Sequence, residues 1–177
     1  MTYYKIKGNT QAFELVTKVF DTQRKWYTQE ISEKLERFLE MPSYNLYVPA
    51  YKLSLSKPIP GRESEFLKPK NGIYRPKKNS SLHKEWDDFQ KENNLEWYTF
   101  SQMMVELNVP FDIHYDVPAP YGVRKSSWQI VKLYGVFVLE CIGKNLEKTF
   151  DWLEPISKAD YYELQAKWER ERERKVI

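Results

Sequence analysis

The spacing of apolar residues changes period early in the chain. Tyr4 and Ile6 alternate with Tyr3, Lys5 and Lys7, which predicts a short opening strand over residues 3–7. Gly8-Asn9-Thr10 breaks the alternation and offers an N-cap in Asn9 or Thr10. From there Phe13, Val16, Phe20, Tyr27, Ile31, Leu35 and Phe38 recur at spacings of three, four and seven. That is one stripe of a long helix ending before Met41-Pro42, with a break near Asp21-Thr22 as the alternative. Residues 45–55 read as extended, with Pro49 making the stretch irregular or an edge strand. Pro58, Pro60, Gly61, Pro69 and Gly72 mark loops over residues 57–72.

Asn79-Ser80-Ser81 then caps a second helix with Leu82, Trp86 and Phe89 on its inner face. A short helix is expected over residues 100–107, stopped before Pro110, and residues 111–117 alternate as a strand would. Two β-branched and aromatic runs, 128–133 and 136–142, flank Tyr134-Gly135 and predict a hairpin central to the sheet. A last helix begins near Ser157, with Tyr161, Leu164 and Trp168 facing inward. The sum is an α+β fold with a mixed or antiparallel sheet, a long N-terminal helix, a middle helix and a C-terminal helix. Residues 1–177 read as one domain, with 168–177 as a charged helical tail that frays.

Composition sharpens this. The chain has 177 residues, 16% of them Phe, Trp or Tyr, which excludes disorder throughout. Its longest apolar stretch falls well short of the roughly 20 residues a membrane span needs, and the N-terminus lacks a signal-peptide core. A cytoplasmic protein without a membrane partner is the simplest reading. The net charge of +3 conceals a segregation. From Lys52 to Lys78, eight basic residues face two acidic ones, and from Glu85 to Asp116, eight acidic residues face one basic residue.

Candidate chemistry is sparse. Cys141 is the only cysteine, so an intrachain disulfide or a cysteine zinc site is excluded. It closes an apolar strand, where a thiol behaves as a small hydrophobe. No nucleophile elbow, phosphate loop, dinucleotide fingerprint or zinc-protease motif is present. His83 reads as a surface residue of the second helix. Asp112, His114 and Asp116 would share one side of a strand, where they could hold a divalent metal for a hydrolase. No catalytic residue and no cofactor is assigned, and the sequence points away from an enzyme.

The basic stretch Gly72-Ile73-Tyr74-Arg75-Pro76-Lys77-Lys78-Asn79-Ser80-Ser81 carries the clearest signal. Arg75, Lys77 and Lys78 precede a helix N-terminus whose dipole adds positive potential, so Tyr74, Arg75, Lys77, Lys78, Asn79 and Ser80 could receive a phosphate or carboxylate. Tyr44, Tyr47, Tyr51 and Tyr74 lie in the same irregular basic region. Trp26, Tyr47, Tyr51 and Tyr74, if exposed, would serve as interface anchors. The opening Tyr-Tyr-Lys-Ile strand with its long helix, the aromatic-Arg-Pro-Lys-Lys-Asn-Ser segment at 74–80, and the closing Trp152, Pro155 and Tyr161 to Leu164 pattern resemble a set of small uncharacterised proteins encoded by tailed phages and prophages. The resemblance implies phage origin, the host-cell cytoplasm and no established activity; with the segregated charge and the aromatics it suggests a non-enzymatic accessory protein that binds a host protein or an anionic host-derived signalling molecule, with a possible anti-defence role. The alternative is a nucleic-acid binder using Lys68, Lys70, Arg75, Lys77 and Lys78 on phosphates, with Tyr74 stacking on a base.

Overall fold

The computed structural model describes residues 1–47, 52–114 and 128–176, and the chain folds into two compact units. The first comprises residues 1–17 and 99–177, and the second residues 18–98.

The first unit is built on a four-stranded antiparallel sheet in the order β2-β3-β1-β4, formed by β1 (Thr2–Ile6), β2 (Gln129–Leu133), β3 (Val136–Cys141) and β4 (Leu153–Ile156). The expected hairpin is present, but of its two strands β3 alone is internal, and β2 forms an edge. Its turn works because Tyr134 (φ 50°) and Gly135 (φ 78°) both adopt the left-handed conformation that a two-residue hairpin requires. The fourth strand was not expected from the sequence. Pro155 sits in it opposite Tyr4, which is tolerated because β4 lies at the sheet edge. Strand alternation gives the sheet two apolar faces. On one, Tyr3, Leu133, Val138 and Tyr161 form a core joined by Leu164 and Trp168 of α6 (Lys158–Val176). The Tyr3 and Tyr161 rings stack at 4.0 Å, and the Tyr161 hydroxyl donates to Glu140. The helix continues through Val176, so the charged stretch after Trp168 is helical. From the other face, Phe137 meets Phe13 of α1 (Gln11–Trp26) edge to face at 5.4 Å.

Thr10 caps α1, accepting the Phe13 N–H at 3.1 Å. The long helix predicted to end before Met41-Pro42 breaks, but at Tyr27-Thr28 and not near Asp21-Thr22: α2 spans Gln29–Leu39. Thr28 takes an extended backbone and its hydroxyl accepts from Ile31 N, which starts a new helix in place of a further turn of the old one. The buried face of α1 is also rotated from the predicted stripe. Ala12, Val16, Val19 and Trp26 are its deepest residues, whereas Tyr27 is 70% exposed.

In the second unit, α2 contributes Ile31, Leu35 and Leu39, with Phe38 of the predicted stripe only partly buried, and α3 (Ser81–Glu92) contributes Leu82, Trp86 and Phe89, as the sequence predicted for that helix. Trp86 stacks on Phe89 at 5.7 Å, and Trp26 tilts against Trp86 at 5.9 Å. Leu53, Leu55, Ile59 and Phe66 complete this core from an irregular antiparallel layer. Helices α4 (Phe100–Glu106) and α5 (Phe111–His114) belong to the first unit. A capping box at Thr99 and Gln102 opens α4. The strand expected from Phe111 onward is replaced by α5 over its first four residues, and its remainder lies outside the described residues.

Candidate functional site

The basic stretch belongs to a β-hairpin that the sequence reading placed among loops. Lys70 and Ile73 exchange backbone hydrogen bonds across Asn71 (φ 52°) and Gly72 (φ 74°). Leu67 N then donates to the Arg75 carbonyl at 2.8 Å, and Lys77 N to the Glu65 carbonyl at 2.8 Å. The signal was legible: an Asn-Gly pair is a strong hairpin marker, because both positions need positive φ. Tyr74 exchanges both backbone bonds with Leu55, which ties the hairpin to the core layer.

This arrangement sorts the expected site residues. The Tyr74 ring is half-buried, packed against the core and edge-on to Phe66 at 6.3 Å. Arg75, Lys77, Lys78 and Asn79 are exposed. So are Lys68 and Lys70, which with Leu67, Asn71, Ile73 and Arg75 line an open depression of about 570 Å³. Tyr47 is 46% exposed and Tyr44 81%, whereas Trp26 is buried and contributes no exposed anchor. Tyr51 lies outside the described residues.

The start of α3 is occupied from within the chain. Ser80 Oγ accepts the His83 N–H at 3.2 Å. Glu65 Oε1 accepts the Leu82 N–H at 2.9 Å and the Ser81 hydroxyl at 2.6 Å. Arg62 closes the cluster, its Nε 2.5 Å from Glu65 Oε2 and its Nη2 2.5 Å from Glu85 Oε2. The Arg62 guanidinium, assisted by Ser81, holds the Glu65 carboxyl at about 2, and Glu65 in turn raises Arg62. Glu65 thus supplies the anion that helix dipole and free N–H groups favour. The donors expected to cradle an external phosphate are used internally, and the exposed cations of the hairpin are what remains for a partner.

A second concavity of about 310 Å³ sits where α1 meets α2, lined by Trp26, Tyr27, Leu35, Tyr44 and Leu46 with the hydroxyl groups of Ser32 and Ser43. Those hydroxyls lie 3.1 Å apart. The Trp26 indole N–H is buried, with no acceptor among the described residues. An orphaned buried donor of this kind costs about 1–3 kcal/mol.

The metal reading loses its geometry. In the helical turn of α5, residues two apart project to nearly opposite sides, so Asp112 is exposed while His114 is buried. His114 packs edge-on to Trp128 at 6.4 Å, and burial pushes its pKa below the ordinary histidine value. Asp116 lies outside the described residues, among which no group of three or more metal-ligating side chains occurs. His83 is half-exposed on α3, with Nδ1 3.6 Å from Asp87. Burial raises the Cys141 thiol, which opposes thiolate formation. Among the described residues no helix is long and apolar enough to cross a membrane. Comparisons with protein-family models, with curated proteins and with solved structures each found no match to this chain.

Proposed function

We propose that the protein is a non-enzymatic phage or prophage accessory protein that binds an acidic face of a host protein through the basic hairpin. The observation that carries this reading is the depression around Lys68, Lys70 and Arg75, which has exposed Leu67 (53%) on its wall and no acidic residue among the described residues that line it. Cations surrounding an apolar point suit a protein surface, because charges steer the encounter while apolar contact holds the complex. An enclosed cradle for a small anion is disfavoured, since Glu65 already fills the helix start. Stacking on a nucleobase is disfavoured too, since the Tyr74 ring is committed to Phe66 and the core. An anti-defence role would follow if the partner is a defence component.

The test is the triple variant Lys68→Glu, Lys70→Glu, Arg75→Glu, immobilised beside the parent and exposed to host lysate. The expected result is a defined acidic host protein retained by the parent, released by salt, and lost from a variant of unchanged Tm. Equal retention by both would remove the hairpin from the interface. A mobility shift of DNA or RNA by the parent, weakening with a log–log salt slope of about −0.7 to −0.9 per phosphate, would replace this reading with the nucleic-acid one.

A further inference from the structure

We propose that Asn71, at the tip of the basic hairpin, is a self-modification site, converted by the neighbouring Gly72 amide and water from a neutral carboxamide into a carboxylate. The chemistry goes beyond the function proposed above and needs no partner.

Sequence and geometry single this residue out. Asn9, Asn71, Asn94, Asn108 and Asn145 all hold positive φ. Thr10, Gly72, Leu95, Val109 and Leu146 follow them, and no other asparagine in the chain precedes a glycine. Asn71 and Gly72 are both exposed, and a Cβ at position 72 would meet nothing within 4 Å, so the Gly72 nitrogen is unshielded. Neither the Asn71 carboxamide nor the Gly72 N–H has a hydrogen-bond partner among the described residues. The carboxamides of Asn45 and Asn93, by contrast, are held by Ser56 and Lys34.

The reaction is attack of the Gly72 amide nitrogen on Asn71 Cγ. A solvent base takes the proton from that nitrogen, the N–Cγ bond forms, and the carboxamide nitrogen leaves as ammonia, closing a cyclic imide. Water then opens either imide C–N bond. One product is aspartate. The other is isoaspartate, whose backbone runs through Cγ and is one methylene longer. No electrons change hands, and one water is consumed for each ammonia released. Attack requires rotation about the Asn71 Cα–C bond, out of the turn conformation. The Lys70–Ile73 pair of backbone bonds, at 3.2 and 2.9 Å, is what closes the tip. An exposed tip tied in this way opens at little cost.

Asn71 lines the depression together with Lys68, Lys70 and Arg75. A carboxylate there lowers the lining from three net positive charges to two. Isoaspartate also lengthens the two-residue turn that sets the hairpin register. Weaker capture of an acidic partner follows, a consequence that rests on the docking reading.

The experiment incubates the full-length protein in mildly alkaline buffer and follows each asparagine by peptide mapping, with fragmentation that separates aspartate from isoaspartate. A gain of about 1 Da is expected first at Asn71. Conversion at Asn94 and Asn108 should be at least ~10-fold slower, because a side chain on the next residue crowds the attacking nitrogen. Conversion at Asn71 should quicken as pH rises, and its rate in the folded chain should lie within ~10-fold of the rate in urea. Conversion only after unfolding, or equal conversion of Asn71 and Asn94, would overturn the proposal. Asn71→Asp, whose side chain tolerates positive φ, should retain about 3-fold less of the acidic partner at unchanged Tm. Mapping needs no partner, so conversion at Asn71 with undiminished capture by Asn71→Asp would reject docking at this tip and leave the modification site standing.

Discussion

The Glu65 carboxylate accepts the backbone N–H of Leu82, seventeen residues further along the chain, at 2.9 Å. An acidic side chain from the 3₁₀ turn Glu63–Glu65 thereby caps the start of α3 and, through Arg62, joins Glu85 on that helix. This bond makes the +6 segment and the following acidic one complementary at their junction, which leaves Lys52, Lys57, Lys68, Lys70, Arg75, Lys77 and Lys78 as the exposed cations of the basic segment.

Acid should loosen this junction. Glu65 has its pKa lowered to about 2 from an ordinary 4.5, so its contribution is present above pH 4.5 and fades as pH falls toward 2. Thermal melts by circular dichroism should show Tm falling across that window. Glu65→Gln should lower Tm at pH 7 and flatten the slope; a slope as steep as the parent's would assign acid sensitivity to other carboxylates.

Removing the internal anion should create a site for an external one. In Glu65→Ala the Leu82 N–H loses its carboxylate and Arg62 keeps Glu85 alone as an anionic partner, so inorganic phosphate is expected to raise the Tm of the variant more than that of the parent. Sodium chloride at matched ionic strength is the control, and an equal rise in both proteins would contradict the assignment.

His114 predicts a second pH effect in a different window. Its pKa is lowered chiefly by burial, with the Val109 carbonyl and Asp112 pulling the other way. Protons therefore bind the unfolded chain first, and stability should decline as pH drops below about 6.5. His114→Gln should remove the part of the Tm decline that sets in near pH 6.5, leaving the Glu65 window below pH 4.5 intact.

The hairpin turn can be tested through backbone conformation alone. A Cβ at Gly72 would meet nothing within 4 Å, yet φ there is +74°. Gly72→Val should therefore cost about 1–2 kcal/mol by strain and not by collision. Urea unfolding would measure it. If the hairpin is the docking element, partner capture should weaken in the same variant.

Thr28 should prove more important than its exposure suggests. Thr28→Ala removes the acceptor for Ile31 N and is expected to cost about 1 kcal/mol. It should also disturb the Trp26 indole resonance, because the break it caps positions that ring. A loss below about 0.5 kcal/mol would mean water replaces the cap.

Much of the architecture was legible because it is local. Ser80 and the Leu82, Trp86, Phe89 stripe specify α3 within ten residues, and Tyr134-Gly135 between two apolar runs specifies the β2–β3 hairpin. The same local logic failed where alternation was ambiguous. Phe111 to His114 alternates in polarity but forms a helical turn, which separates Asp112 from His114. Large aromatics also misled: Phe13, Phe20 and Tyr27 marked a stripe, whereas the small residues Ala12 and Val19 lie deeper on α1.

Periodicity, caps and the segregation of charge along the chain, all properties of neighbours in sequence, determined the α+β class and the basic stretch by themselves. Tertiary structure decided what that stretch has left to offer. Whether the α3 start is open depends on Glu65 and Arg62 arriving from a separate turn, and whether Tyr74 can stack depends on Phe66 lying across the hairpin. The Trp26 concavity arises the same way, from a helix break and a returning 3₁₀ turn. Hydrogen-bond satisfaction and burial are set by residues that meet only when the chain is folded, so no local pattern records them.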